Sequence, residues 1–318
     1  MKFSSLIKNK QPLEWVLSSS ENSQAFVLGD KIYDKFEILG NASKLIDGKL
    51  RSGTKFISKD QTLRSLSKKL TEPGSYELSA VLERDINITV QFPKNIDVSV
   101  TKKRIEKTLE LFETYLPSYF KLFNQRIFAV VPVSHYHKGK PHRRGFTLET
   151  LLGFTFTTIE ERFDQPEEIF FPLLIIDLMH ELGHTVLLTY QKVDTILEPE
   201  DLNKPIFSPI RRSARRAIMS FHACVANAYM LEAIKHLYPN ASSLLEKKFL
   251  EKTFIELVEM QKISLKLIKK NTKQTVLGKR IVKELVYQTK NINLNNITGI
   301  SFKPEDISYF TLIKKTIA

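Results

Sequence analysis

The run Ile169-Phe170-Phe171-Pro172-Leu173-Leu174-Ile175-Ile176-Asp177-Leu178-Met179 leads straight into His180-Glu181-Leu182-Gly183-His184. The second stretch decides how the first is read. In a helix, two histidines four apart stand on one face, about one turn from each other. Neutral imidazole ligates zinc, iron, copper and nickel, so the pair suggests two members of a mononuclear metal site. Glu181 points about a quarter-turn away and suits a supporting or proton-transfer role better than ligation. Glu167 and Glu168 suit a positive helix N-terminus, and Pro172 can open a helix. The segment is expected to be a core helix, too short and too interrupted by Asp177 to cross a bilayer. Two histidines and a glutamate in so apolar a helix are costly to bury without a partner, which points to a cation. The plainer alternative is a pair of hydrogen-bonded core histidines.

Working outward, the 318 residues suffice for one large domain or two small ones, and 42% hydrophobic with 26% charged residues is ordinary for a globular chain. The single cysteine, Cys224, excludes a disulfide framework or a multi-cysteine metal site and is expected to be a small buried hydrophobe. Residues 1–16 lack a continuous apolar core of signal-peptide length, so a cytoplasmic location is the expectation. The net charge of +13 suits an acidic peptide, a nucleic acid or an anionic membrane. No aromatic-basic nucleic-acid motif accompanies it, and a solvated lysine-rich helical surface is the simpler explanation.

An α+β fold is expected. Strands are predicted at 25–28, 76–82, 86–92, 127–133 and 153–158, the last with alternating sides, and a helix at 100–122. After the motif helix, further helices are predicted at about 213–238, 242–269 and 275–287. This divides the chain into a strand-rich subdomain over 1–100 and a mainly helical metal-binding region over 101–318. There the motif helix is expected to pack on a later histidine-bearing helix. His135-Tyr136-His137 and His142 fall in a basic stretch, predicted to be a rim loop meeting an acidic peptide rather than a second metal site.

The third ligand separates the possible chemistries. One zinc-protease class needs Gly and His where Leu187 and Tyr190 stand, which excludes it. Another takes a glutamate from a later helix, and Glu232, Glu246, Glu251, Glu256 and Glu259 are available, though none carries that class's aspartate four residues on. His222 is favoured, because Ile218, Val225, Ala226 and Tyr229 share its face and turn it towards the core. Asp177 is the reserve carboxylate. Arg215 precedes His222 by seven residues, two helical turns on the same face and about 10 Å along the axis. An arginine near a histidine-ligated metal suits a small dicarboxylate that chelates with one end and meets a guanidinium fork with the other.

Pro209-Ile210-Arg211, Arg215 and His222, following the His-Glu-x-x-His stretch, resemble the HExxH family of peptide-modification proteins encoded beside ribosomally made peptide natural products. The likeness covers roughly residues 170–235. The chain departs from the family's pattern at Ile210, Ile218 and Met219. The resemblance implies an iron(II)- and 2-oxoglutarate-dependent peptide β-hydroxylase acting on a precursor peptide. It implies metal ligation by His180, His184 and His222, and 2-oxoglutarate recognition by Arg211 or Arg215. Two other readings stay open: a zinc metallopeptidase with Glu181 as general base, and a peptide-binding protein that has kept a structural metal.

Overall fold

A computed structural model describes residues 88–91, 98–127, 129–137, 140–141, 145–147, 154–158, 165–191, 195–209, 213–290 and 292. The expected subdomain over 1–100, with its strands at 25–28 and 76–82, lies almost wholly outside them, as do His142 and Arg211. The described chain is a mixed α+β protein, mostly helical with a few short strands. It divides into two compact units, one of residues 35–181 and 307–318, the other of 1–34 and 182–306.

In the 35–181 unit, the strands are β1 (Ile88–Gln91), β2 (Ala129–His137), β3 (Lys140–Pro141), β4 (Phe146–Thr147) and β5 (Phe154–Thr158). Their order is β1-β2-β5-β4, with β3 on β2, and only β2 and β5 run parallel. Thr155, Phe156, Thr157 and Thr158 of β5 are all buried, so both faces of the strand are covered. A strand with neighbours on both sides and cover on both faces loses the polar-out pattern. His135, Tyr136 and His137 close strand β2, paired with both β1 and β3, rather than forming a loop.

The expected helix at 100–122 is two helices, α1 (Val98–Tyr115) and α2 (Pro117–Arg126). Leu116 leaves helical geometry (φ −131°, ψ 56°), and Pro117, whose ring disfavours a helical residue before it, opens the second helix. Phe112 touches Phe120 and Phe123 across this break, with ring centroids 5.5 and 5.3 Å apart.

Helix α3 (Glu167–Gln191) starts at Pro166, whose carbonyl accepts from Ile169 and Phe170. Pro172 therefore lies inside the helix rather than opening it. The Arg104 guanidinium of α1 sits 4.7 Å over the Phe170 ring. The helix is not too short to cross a membrane: it has 25 residues, and its most apolar window has mean hydropathy 1.4. That window is 78% buried within the protein.

In the 182–306 unit, α4 (Ala217–Leu237) is buried nearly all round, a pattern that needs neighbours on every side. Those neighbours are α5 (Leu244–Asn271), α6 (Val276–Lys290) and a hairpin of β6 (Pro205–Ser208) and β7 (Ser213–Arg216). The hairpin corrects the expected helix at 213–238: residues 213–216 are extended, and the helix begins at Ala217. Cross-strand pairing with 205–208 overrides the modest helical preference of Ser-Ala-Arg-Arg. Helix α5 begins with a reciprocal cap: Glu246 N–H donates to Ser243 Oγ, while the Glu246 carboxylate accepts from Ser242 N–H.

The 195–201 segment is stitched to the α5–α6 turn. Leu197 bridges Gln274, Glu198 N–H donates to the Lys273 carbonyl, and Lys273 N–H donates to the Asp201 carboxylate at 2.6 Å. This last bond, with Lys204 beside it, holds the Asp201 pKa below the usual aspartate value. A depressed folded-state pKa gives stability that is present above the unfolded value and is lost as pH falls through the folded one. Asp201→Asn is thus expected to be less stable than the parent at pH 7. Paired denaturant titrations should show the gap closing below the usual aspartate pKa of about 3.9. A gap independent of pH would mean that the charge does not matter.

Candidate functional site

Helix α3 carries the whole His-Glu-x-x-His stretch in unbroken helical geometry, so His180 and His184 stand one turn apart on one side. Burial pushes the His180 pKa down to about 4, although the side chain keeps a part-exposed edge. It is therefore neutral at pH 7, the form that ligates a metal.

Glu181 is buried in the 35–181 unit and accepts a hydrogen bond from Thr147 Oγ1 at 2.8 Å. Burial pushes its pKa up to about 8; the Thr147 bond opposes the rise and Asp177 adds to it. At that value the carboxyl is mostly protonated at pH 7. Thr147 owes its aim to register. It pairs with Thr155 while Phe146 pairs with Phe156, and the two phenyl rings stack at 4.7 Å. Directly paired residues share a face, so the rings take one face and Thr147 the other. Gly145 completes the contact, since a Cβ there would lie 2.9 Å from Glu181 Oε1.

In the 182–306 unit, His184 faces His222 from α4. Their Nδ1 atoms are 3.4 Å apart, and the ring centroids 5.6 Å. His222 Nε2 lies 2.6 Å from the Gln191 side-chain oxygen. That oxygen can only accept, which assigns the His222 proton to Nε2 and leaves the Nδ1 lone pair facing His184. Two nitrogens each about 2.0–2.1 Å from a tetrahedral metal are about 3.4 Å apart, so the donor pair fits a transition-metal ion. Among the described residues no group of three His, Cys, Asp or Glu side chains is gathered as a metal cage.

The helices come this close because of Gly183. A Cβ on it would lie 2.9 Å from the Ala226 Cα and 3.1 Å from the Tyr229 ring. Gly183→Ala must push α3 from α4 and His184 from His222. A cost of about 1–3 kcal/mol is expected, as for other overpacked interiors. Denaturant unfolding measures that cost, and under the metal reading proposed below chelator competition should show weaker metal retention beside it. Unchanged values in both would exclude close approach as the reason for this glycine.

The other candidates are placed as follows. Asp177 is buried on α3, where its charge raises the Glu181 pKa. Arg215 is not on the His222 helix face: it lies in β7 opposite Ile206, and because Ile206 is buried, the pair faces inward. Burial, with Arg216 next to it, lowers the Arg215 pKa to about 10, which leaves it cationic at pH 7. Glu232 is held by Lys235 Nζ at 2.7 Å and Gln288 Nε2 at 2.8 Å, both inside the helical unit. Glu246 caps α5, and Glu251 accepts from the Tyr238 hydroxyl. Cys224 is buried and free, its pKa raised to about 12 by burial.

Sequence reasoning missed Thr147, Gly183 and Gln191. Gln191 follows His184 by seven residues on the same helix face, so spacing could have found it. Thr147 left no such signal. No protein-family model and no curated protein matches the chain.

Proposed function

We propose that this chain is an iron(II)- and 2-oxoglutarate-dependent oxygenase that hydroxylates a β-carbon in a ribosomally made peptide. The observation that supports a metal in this reading is the His184–His222 pair, whose Nδ1 atoms are 3.4 Å apart. In this reading the HExxH helix packs against the His222 helix, and His180, His184 and His222 hold the metal. Bound iron and 2-oxoglutarate would supply the oxidation: peptide C–H, dioxygen and 2-oxoglutarate yield C–OH, carbon dioxide and succinate.

The chain's own residues do the rest. His180 stays neutral through burial, and Gln191 holds His222. Thr147 keeps Glu181 in place as a neutral hydrogen-bonding group. In this proposal the fork for the far carboxylate of 2-oxoglutarate comes from Arg211 or from the inward, cationic Arg215. Completion of a zinc site by Glu232 is disfavoured, because that carboxylate already serves Lys235 and Gln288. The proposed partner is a precursor peptide, with an acidic one suited to the +13 charge. Neither nucleic acid nor membrane is part of the proposal, and the proposed setting is cytoplasmic.

The test is to load the protein with Fe(II) anaerobically, then add 2-oxoglutarate, oxygen and the precursor peptide encoded beside it. A peptide gaining one oxygen atom, with matching succinate, is the expected result. Cleaved peptide without need of 2-oxoglutarate would replace this reading with the zinc metallopeptidase, in which Glu181 is the general base. Bound metal without turnover of either kind would leave the peptide-binding protein.

A further inference from the structure

Gln191 is the last residue of α3, about two turns beyond the motif, and no catalytic pattern calls for it. Its side-chain oxygen nevertheless makes a short contact, 2.6 Å to His222 Nε2. A histidine has two nitrogens and, when neutral, one proton. Whichever nitrogen gives that proton to a fixed acceptor leaves the other as the donor atom for a metal. With Nε2 committed to Gln191, the lone pair of His222 is on Nδ1, which is the atom 3.4 Å from His184 Nδ1. The three side chains can then form one directed chain: His184 Nδ1–H to His222 Nδ1, and His222 Nε2–H to Gln191. In that chain one proton lies in the gap where a metal would lie.

We infer that Gln191 is a positioning residue that, by accepting from His222 Nε2–H, fixes His222 as an Nδ1 ligand. The inference rests on the metal reading above, but its structural half can be read without any metal. Gln191 would act only through His222, and it has no part in the reaction itself.

The test uses the full-length chain labelled with 15N-histidine and stripped by chelator. Long-range 1H–15N correlation spectra, with His222 assigned by its loss in His222→Asn, report which ring nitrogen carries the proton. The expected result is a single Nε2–H tautomer in the parent and in Gln191→Glu, whose carboxylate can only accept. Gln191→Leu should show a mixture. Fe(II) and Zn(II) affinities, by competition with a chromophoric chelator, should fall about 10–100-fold in Gln191→Leu, the usual cost of losing a ligand's outer partner. Gln191→Glu should restore them.

An Nδ1–H tautomer at His222 in the parent overturns the inference even if Gln191→Leu does not fold. So does a folded Gln191→Leu variant that binds both ions as the parent does. If the parent binds neither ion, the metal reading and the ligand role of His222 fall together, and the tautomer spectrum alone then shows whether Gln191 still orients the ring.

Discussion

His222→Ala is expected, under the proposed reading, to leave a folded protein that no longer retains a transition metal and has no oxygenase turnover. The loss should exceed the about 10–100-fold penalty of removing an outer partner, because a donor atom itself disappears. The change also leaves the Gln191 side-chain oxygen without the Nε2–H donor it now meets, and His184 Nδ1 without its neighbour. Some stability should therefore be lost too, about 1 kcal/mol, the low end for stranded polar groups because these are only part-buried. Metal content after gel filtration, read beside a circular-dichroism melt, separates the two effects. A folded variant that retains Fe(II) as the parent does would remove His222 from the site. His184→Ala should behave alike if the two act as a pair.

Gly278→Ala is the second large effect, and it bears on stability alone. A Cβ at Gly278 would lie 2.0 Å from the Ile196 carbonyl oxygen and 3.0 Å from the Ile196 carbonyl carbon. Both are backbone atoms, which no side-chain rotation can move aside. The same carbonyl accepts from Thr275 N–H, and Gly278 N–H donates to Thr275 Oγ1. Relieving the clash means pulling the 195–201 segment off the turn before α6, which breaks the Leu197–Gln274 bridge and its neighbouring bonds. A cost of about 3 kcal/mol or more is expected, at the upper end for overpacking. Hydrogen exchange should show the loss first at Ile196–Glu198 and Lys273–Thr275. Parent-like protection there would show that the contact yields easily.

The long helices were legible because their apolar positions recur at helical spacing over many turns, as with Phe254, Leu257, Val258, Leu265 and Ile268 on α5. The motif helix was legible for a different reason, its near-continuous hydrophobicity. The β6–β7 hairpin was not. Ser213-Ala214-Arg215-Arg216 carries no strand signal of its own and becomes extended only by pairing with 205–208. That error moved Arg215 from a helix face to a strand, and with it the distance argument that linked it to His222. Pro117, by contrast, was a visible break inside an apolar pattern that tempted a longer helix. Within the candidate site, His222 was legible from the small and apolar residues sharing its helix. Thr147 and Glu181 are 34 positions apart in sequence, and only strand pairing brings them together.

That pairing has a consequence for Glu181. The β4–β5 ladder is two residues long, and side chains alternate faces along it. Sliding β4 by one residue would exchange the hydroxyl at Glu181 for a phenyl ring. A ladder of two residue pairs holds such a short strand weakly. The Phe146–Phe156 stack therefore acts as a latch on the register: two greasy rings on the far side of the sheet determine whether a buried carboxyl meets a proton donor or a hydrocarbon wall.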